Sequence, residues 1–241
     1  MIRIEHLTKL YGTFTAVDDI SLQVKTGEVF AFLGPNGSGK TTTVKSIVGL
    51  NVPTSGRILV NGIDVHREPK RARTFLSYLP QRVVFPENLT AREIIRFYAD
   101  VRGIRRDLAE EALATASFNG FSDKQVSAFS GGMIQRLGLA VVSMPDAPML
   151  LLDEPTASLD PMGVKRFREF ILEQKGKEKT VIFSTHLLPE AEQLADRVGI
   201  VVGGKLVALE SIENLKSTFL KNGTIEDMYL HYIGSNEHEA H

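Results

Sequence analysis

The segment Gly34-Pro35-Asn36-Gly37-Ser38-Gly39-Lys40-Thr41 has the residue types and spacing of GxxxxGK[ST], a loop that holds polyphosphate. Glycines at 34, 37 and 39 let the backbone curl until successive N–H groups face phosphate oxygens. Lys40 would reach the β- and γ-phosphates as a point charge. Thr41 would offer its hydroxyl to Mg²⁺, and Thr42 could add a phosphate contact. A second chemical feature follows at Asp153-Glu154, where two carboxylates end the apolar run Met149-Leu150-Leu151-Leu152. Asp153 would hold Mg²⁺ through its water shell, and Glu154 would polarise a water aimed at the γ-phosphate. An ordinary glutamate, with pKa about 4.3, is ionised at pH 7 and can accept that hydrogen bond. A third is Ser130-Gly131-Gly132: serine suits a helix N-cap, and the glycines let an anion approach the helix end.

Position is supplied by the surrounding elements. Val29-Phe30-Ala31-Phe32-Leu33 reads as a buried parallel strand leading into the loop. Val44, Ile47, Val48 and Leu50 define one face of a helix starting near Lys40, whose dipole adds positive character to the loop. Residues 1–25 read as strands, with Val17, Ile20, Leu22 and Val24 on a partly exposed antiparallel sheet. Ser55-Gly56 opens a strand pair that turns at Asn61-Gly62. From about 87 to 146 the pattern is helical. Thr90 and Glu93 form a capping box ahead of a stripe of Ile94, Phe97, Tyr98 and Val101. Leu108, Ala112, Leu113 and Ala116 indicate a second helix, and Met133 to Met144 a third. Strand character returns at 149–152 and 180–184, separated by a helix over about 161–175. A hairpin is expected over 198–209 with Gly203-Gly204 at its turn, then a helix from Thr224 that stops at Gly234. Strands and helices alternating around the loop imply an α/β core with a helical insert.

Composition narrows the classes. The chain has 241 residues, 43% hydrophobic and 24% charged, which is ordinary for a globular protein. A net charge of −1 gives no footprint for general nucleic-acid binding. Cysteine is absent, which fits a reducing compartment. The start alternates like a strand rather than a signal peptide, and no apolar run approaches the roughly 18 residues of a membrane span. Work at a membrane would need another chain to cross it.

With these motifs in this order, residues 1 to about 210 strongly resemble the ATP-binding cassette (ABC) family. The resemblance implies an α/β fold: a P-loop NTPase (RecA-like) core with an antiparallel β subdomain and an inserted α-helical subdomain. One domain would fill 1–241, with 1–86 and 147–210 as β subdomain and core, 87–146 helical, and 211–241 a C-terminal helical extension. It implies ATP and Mg²⁺ as cofactors and Glu154 as the catalytic glutamate. Ser130, Gly131 and Gly132 would be the signature, contacting the γ-phosphate of ATP held by an opposite subunit. Tyr11 would stack on adenine. Gln81, after what would be the central strand, would touch Mg²⁺ and the attacking water. Ser158-Leu159-Asp160 would cross the dimer interface, and His186 would contact the γ-phosphate. Each has a plainer reading as well: Tyr11 as a strand aromatic, Gln81 as a surface loop residue, Asp160 as an N-cap before Pro161, His186 as an ordinary hydrogen-bonded histidine. One position departs from the family pattern. Met133 stands where the signature usually has glutamine, and methionine lacks that amide's hydrogen bonds.

By the same resemblance, two identical subunits would face each other head to tail around two ATP molecules. An integral membrane subunit would be the partner, received near Phe85–Glu93, and the chain would sit on the cytoplasmic face of the membrane. The Leu89-Thr90-Ala91-Arg92-Glu93 pattern resembles ABC-2-type exporter ATPases. A looser likeness through Gln135–Ala140 is to cassette subunits linked to copper handling in nitrous oxide reductase maturation. Other classes are an importer-type cassette or a soluble cassette acting on nucleic acid or ribosomes. The single cassette and absent basic balance weigh against the soluble class.

Overall fold

Two sheets divide the strands, and the alternation of apolar residues explains why both must pack against something. The computed structural model describes residues 1–116, 118 and 120–219. The helix expected from Thr224 and the polar tail lie outside the described residues. β1 (Ile2–Tyr11) and β2 (Phe14–Val24) pair antiparallel, and β1 also pairs with β4 (Ser55–Val60). β5 (Ile63–Asp64) completes a four-stranded sheet of order β2-β1-β4-β5. Val60 pairs with Ile63 across Asn61 and Gly62, both at positive φ, the geometry of a tight hairpin turn.

The larger sheet has the order β10-β9-β3-β8-β7-β6. β3 (Val29–Leu33), β6 (Leu76–Leu79), β7 (Met149–Asp153), β8 (Thr180–Thr185) and β9 (Arg197–Val202) run parallel; β10 (Lys205–Ser211) pairs antiparallel with β9. Strands β3, β7 and β8 are buried along their whole length, as their near-continuous apolar runs require. One face of this sheet shares a core with the antiparallel sheet and with α1 (Lys40–Ile47): Phe30, Phe32, Leu151 and Ile182 meet Ile2, Ile20, Val44 and Ile47. The other face packs Ala31, Leu33, Leu152 and Phe183 against Phe167 and Ile171 of α6 (Pro161–Gly176) and Ala191 of α7 (Leu188–Leu194).

A third core belongs to the helical segment. α3 (Ala91–Arg102), α4 (Arg106–Thr115), a short 3-10 turn (Val126–Ala128) and α5 (Gly131–Ser143) bury Ile94, Ile95, Ala109, Leu113, Val126 and Leu137 together. The capping box is formed: the Glu93 N–H donates to Thr90 Oγ1 and the Thr90 N–H donates to Glu93 Oε2.

Three expectations are corrected. The inward stripe of α3 is Ala91, Ile94, Ile95 and Ala99, whereas Phe97 and Val101 are 57% and 67% exposed. Leu50, expected on the apolar face of α1, lies past the end of that helix and is exposed. β6, which precedes Gln81, is an edge strand of the six-stranded sheet rather than its central one. A short helix α2 (Pro69–Arg73) and a final α8 (Ile212–Phe219) complete the described elements.

Candidate nucleotide site

The loop between β3 and α1 is shaped by close backbone approaches. A Cβ on Gly34 would lie 2.1 Å from the Val201 carbonyl oxygen, so no other residue fits there. Gly39 has φ +103, and a Cβ on it would lie 2.4 Å from the Ala16 carbonyl oxygen. The loop is also tied to the β9–β10 turn, because the Gly204 N–H donates to the Ser38 carbonyl at 3.0 Å. No side chain caps the N-terminus of α1. Its first N–H groups are therefore available to an anion. Asn36 and Gly37 are exposed, Pro35, Thr41 and Thr42 half-buried.

Lys40 is buried and folds over the loop, donating from Nζ to the Gly34 carbonyl at 2.8 Å and the Pro35 carbonyl at 3.0 Å. Its ammonium also lies 3.3 Å from Glu154 Oε1. The other oxygen of Glu154 is 2.9 Å from His186 Nδ1. The glutamate thus touches a cation on one side and a half-exposed imidazole on the other. Glu154 follows directly on β7 with φ +45, a conformation that costs a non-glycine residue about 1 kcal/mol or more. That turn swings its carboxylate out of the strand direction.

Asp153 ends β7 with no exposed surface. Its Oδ1 accepts from Thr41 Oγ1 at 2.9 Å and from Ser184 Oγ at 2.7 Å, while its Oδ2 is buried without a hydrogen-bond partner. Burial pushes its carboxyl above the usual range, against the pull of the Ser184 and Thr41 hydrogen bonds. Burial likewise pushes the phenol of Tyr78 on β6 up, with the Asp153 charge adding to the effect.

Five of the sequence-singled residues, Lys40, Thr41, Asp153, Glu154 and His186, therefore form one contact network. A second group assembles elsewhere. Ser130 caps α5, its Oγ accepting from the Met133 N–H at 3.3 Å, and Gly131 and Gly132 share a groove with Ser158, Leu159 and Asp160. None of the P-loop residues lines that groove. Asp160 caps α6, accepting from the Gly163 N–H at 2.7 Å, so its carboxylate serves its own helix. Met133 packs against the helical core. Two candidates stand outside both groups. Gln81 is exposed in the bend after β6. Tyr11 is 49% exposed at the end of β1, with the Lys9 ammonium 5.0 Å from its ring centroid.

Several supporting residues carried no role in the sequence reading. The Ser184 hydroxyl accepts from the Glu154 N–H at 2.9 Å. Buried Glu190 accepts from Thr156 Oγ1 at 2.9 Å and from Thr185 Oγ1 at 3.0 Å, bracing the turns that carry Glu154 and His186. Gln135 of α5 donates from Nε2 to the Pro155 carbonyl at 2.9 Å, tying that helix to the same turn. The available signal was polarity in otherwise buried runs, since buried polar groups need partners.

Fold and site together define a P-loop nucleotide-binding protein. Residues 17–157 match the ABC transporter family. The chain is 37% identical over 242 residues to the bacitracin transport ATP-binding protein BcrA of Bacillus licheniformis, covering all of this chain and 77% of that protein. It is 39% identical over 222 residues to the probable multidrug ABC transporter ATP-binding protein YbhF of Escherichia coli (strain K12), covering 90% of this chain. It spans 38% of YbhF's length. A solved ATP-binding subunit of an ABC transporter superposes with a TM-score of 0.87 at 28% identity, covering 96% of this chain and 99% of that one. The cassette MJ0796, solved as a post-hydrolysis dimer bound to ADP and Pi, gives a TM-score of 0.81 at 26% identity, covering 88% and 99%. The chain belongs to the ABC transporter family, as one of its ATP-binding cassettes.

Proposed function

We propose that this protein binds and hydrolyses ATP as the ATP-binding subunit of an exporter, working on a separate membrane subunit. The observation that carries the hydrolytic reading is the contact chain from buried Lys40 through buried Glu154 to His186. The Lys40 ammonium would exchange loop carbonyls for the β- and γ-phosphates, and the N–H groups of Gly34 to Thr42 would receive the remaining phosphate oxygens. Glu154 would accept a hydrogen bond from water as its oxygen attacks the γ-phosphorus, with His186 beside both. The bond from phosphorus to the ADP oxygen breaks, and the products are ADP and phosphate.

The residues fit Mg²⁺. Thr41 Oγ1 and Asp153 supply hard oxygen donors, and the unpartnered Asp153 Oδ2 is an acceptor without a donor. Among the described residues no group of three or more His, Asp or Glu could hold a metal alone, so phosphate oxygens and waters would complete the shell. Bound there, the ion would neutralise phosphate charge. Gln81 at this ion and Tyr11 on adenine remain part of the proposal through the family motif.

Two phosphate-binding devices in separate places support a two-chain site. The P-loop of one copy would face Ser130, Gly131 and Gly132 of the other, with Asp160 at the crossing. A solved dimeric cassette supports this arrangement. No described helix is long and apolar enough to cross a membrane. The subunit would sit at the cytoplasmic face on a membrane partner, a reading supported by the transport role in the names of the bacitracin and lantibiotic relatives.

The decisive experiment is Glu154→Gln. ATP should still bind, hydrolysis should fall by about a hundredfold or more, and ATP should convert monomer to dimer on a sizing column. Full hydrolysis would remove Glu154 from its role; a monomer at saturating ATP would sink the two-chain site.

A further inference from the structure

Ser184 is the next-to-last residue of β8, following the apolar run Val181-Ile182-Phe183, and it has no exposed surface. Register places it beside Asp153 of β7 on one side and Phe32 of β3 on the other. Its hydroxyl does two things at once. It donates to Asp153 Oδ1 at 2.7 Å and accepts from the Glu154 N–H at 2.9 Å. Among the described residues it alone bonds both to the Asp153 carboxylate and to the Glu154 backbone.

The second bond has a specific reason. Glu154 lies one residue past the end of β7, and its N–H is donated to the Ser184 hydroxyl. A buried N–H needs a partner, and the hydroxyl supplies it. The first bond has a different one. With Thr41 and Ser184 both donating to Oδ1, the Asp153 carboxylate is locked about its χ2 torsion and Oδ2 is left free. Thr185, one residue on, points to the opposite side of the sheet and engages Glu190, so it cannot substitute.

We propose that Ser184 is a positioning residue for hydrolysis: its one hydroxyl fixes the rotamer of the metal-facing Asp153 and the left-handed turn that aims Glu154. The inference rests on the hydrolytic reading above. Ser184 sits behind the carboxylates. Its loss should change the turnover of bound ATP far more than ATP binding.

The test uses the full chain with Ser184→Ala, Ser184→Cys and Ser184→Thr, each checked by melting. Ser184→Ala should lower kcat about tenfold or more, leaving KM and the affinity for a fluorescent ATP within about threefold. Ser184→Cys keeps the side-chain shape with a weaker donor and acceptor, and should fall with the alanine variant. Ser184→Thr restores the hydroxyl and should recover turnover. Mn²⁺ binding to the ATP complex, followed by electron paramagnetic resonance, should weaken in Ser184→Ala and Ser184→Cys and return in Ser184→Thr. A folded Ser184→Ala or Ser184→Cys with wild-type kcat and Mn²⁺ affinity would overturn the proposal; a purely structural role would lower the melting temperature and leave both unchanged. If the wild-type chain itself fails to hydrolyse ATP, the functional reading falls. The Mn²⁺ comparison then still decides whether Ser184 orients Asp153.

Discussion

Lys40 Nζ stands 3.3 Å from Glu154 Oε1, with the two side chains only 4% and 5% exposed. A charged pair this buried is held by mutual attraction and further hydrogen bonds against a large desolvation cost. Lys40 has two loop carbonyls, and Glu154 has His186. The cation proposed to hold phosphate and the carboxylate proposed to polarise water are thereby coupled before any substrate arrives.

Lys40→Met should cut ATP affinity, and it should also leave Glu154 buried without its cation. Loss of one partner of such a pair costs about 3 kcal/mol. The melting temperature without nucleotide should drop, and adding Glu154→Gln should recover part of the loss. Strictly additive single effects in thermal melts would show that the pair is not energetically coupled.

The two-chain reading makes a complementation prediction. Gly131→Asp places a carboxylate at the exposed start of α5, where the two-chain reading puts a phosphate. That variant and Lys40→Met should each be inactive alone. Mixed, they can form a dimer with one intact site, built from the P-loop of one and the signature of the other. ATPase activity of the mixture should exceed either parent. No recovery in mixtures that demonstrably form heterodimers would argue against the shared site.

Thr90→Ala removes a side chain that accepts the Glu93 N–H at 3.2 Å. The expected loss is about 1 kcal/mol of stability. Amide hydrogen exchange should quicken in the first turn of α3 more than in β3 or β8. Uniform exchange changes across the chain would contradict a local cap.

His66 supplies the pH prediction. Burial holds its imidazole below the ordinary value, with Asp64 opposing, and its Nε2 is buried without a partner. As pH falls, the unfolded chain takes up this proton first. The stability contribution is therefore complete above about pH 6.5 and is lost as pH falls through the depressed folded value. Wild type should lose more thermal stability between pH 7.5 and pH 5.5 than His66→Gln does. Identical losses would remove His66 from the acid response.

Features that depend on neighbours along the chain were legible in its residues. Glycine spacing from Gly34 to Gly39, the capping box at Thr90, the Asn61-Gly62 turn and the buried runs of β3, β7 and β8 are local chemistry, and each forms where the residues require it. Tertiary structure decided what depends on residues far apart. Thr41 and Asp153 are separated by 112 positions, and only the packing of α1 against the sheet joins them. Apolar content alone left the inward face of α3 ambiguous: Phe97 is as hydrophobic as Ile95, yet only Ile95 meets α4 and α5. β6 lies at the edge because sheet order is set by crossovers, which no local pattern encodes. Ser184 reads as one more strand residue until register sets it against Asp153, with the Glu154 N–H within reach of its hydroxyl. A side chain's type fixes which bonds it can make; the long-range register of the sheet fixes which partner it meets.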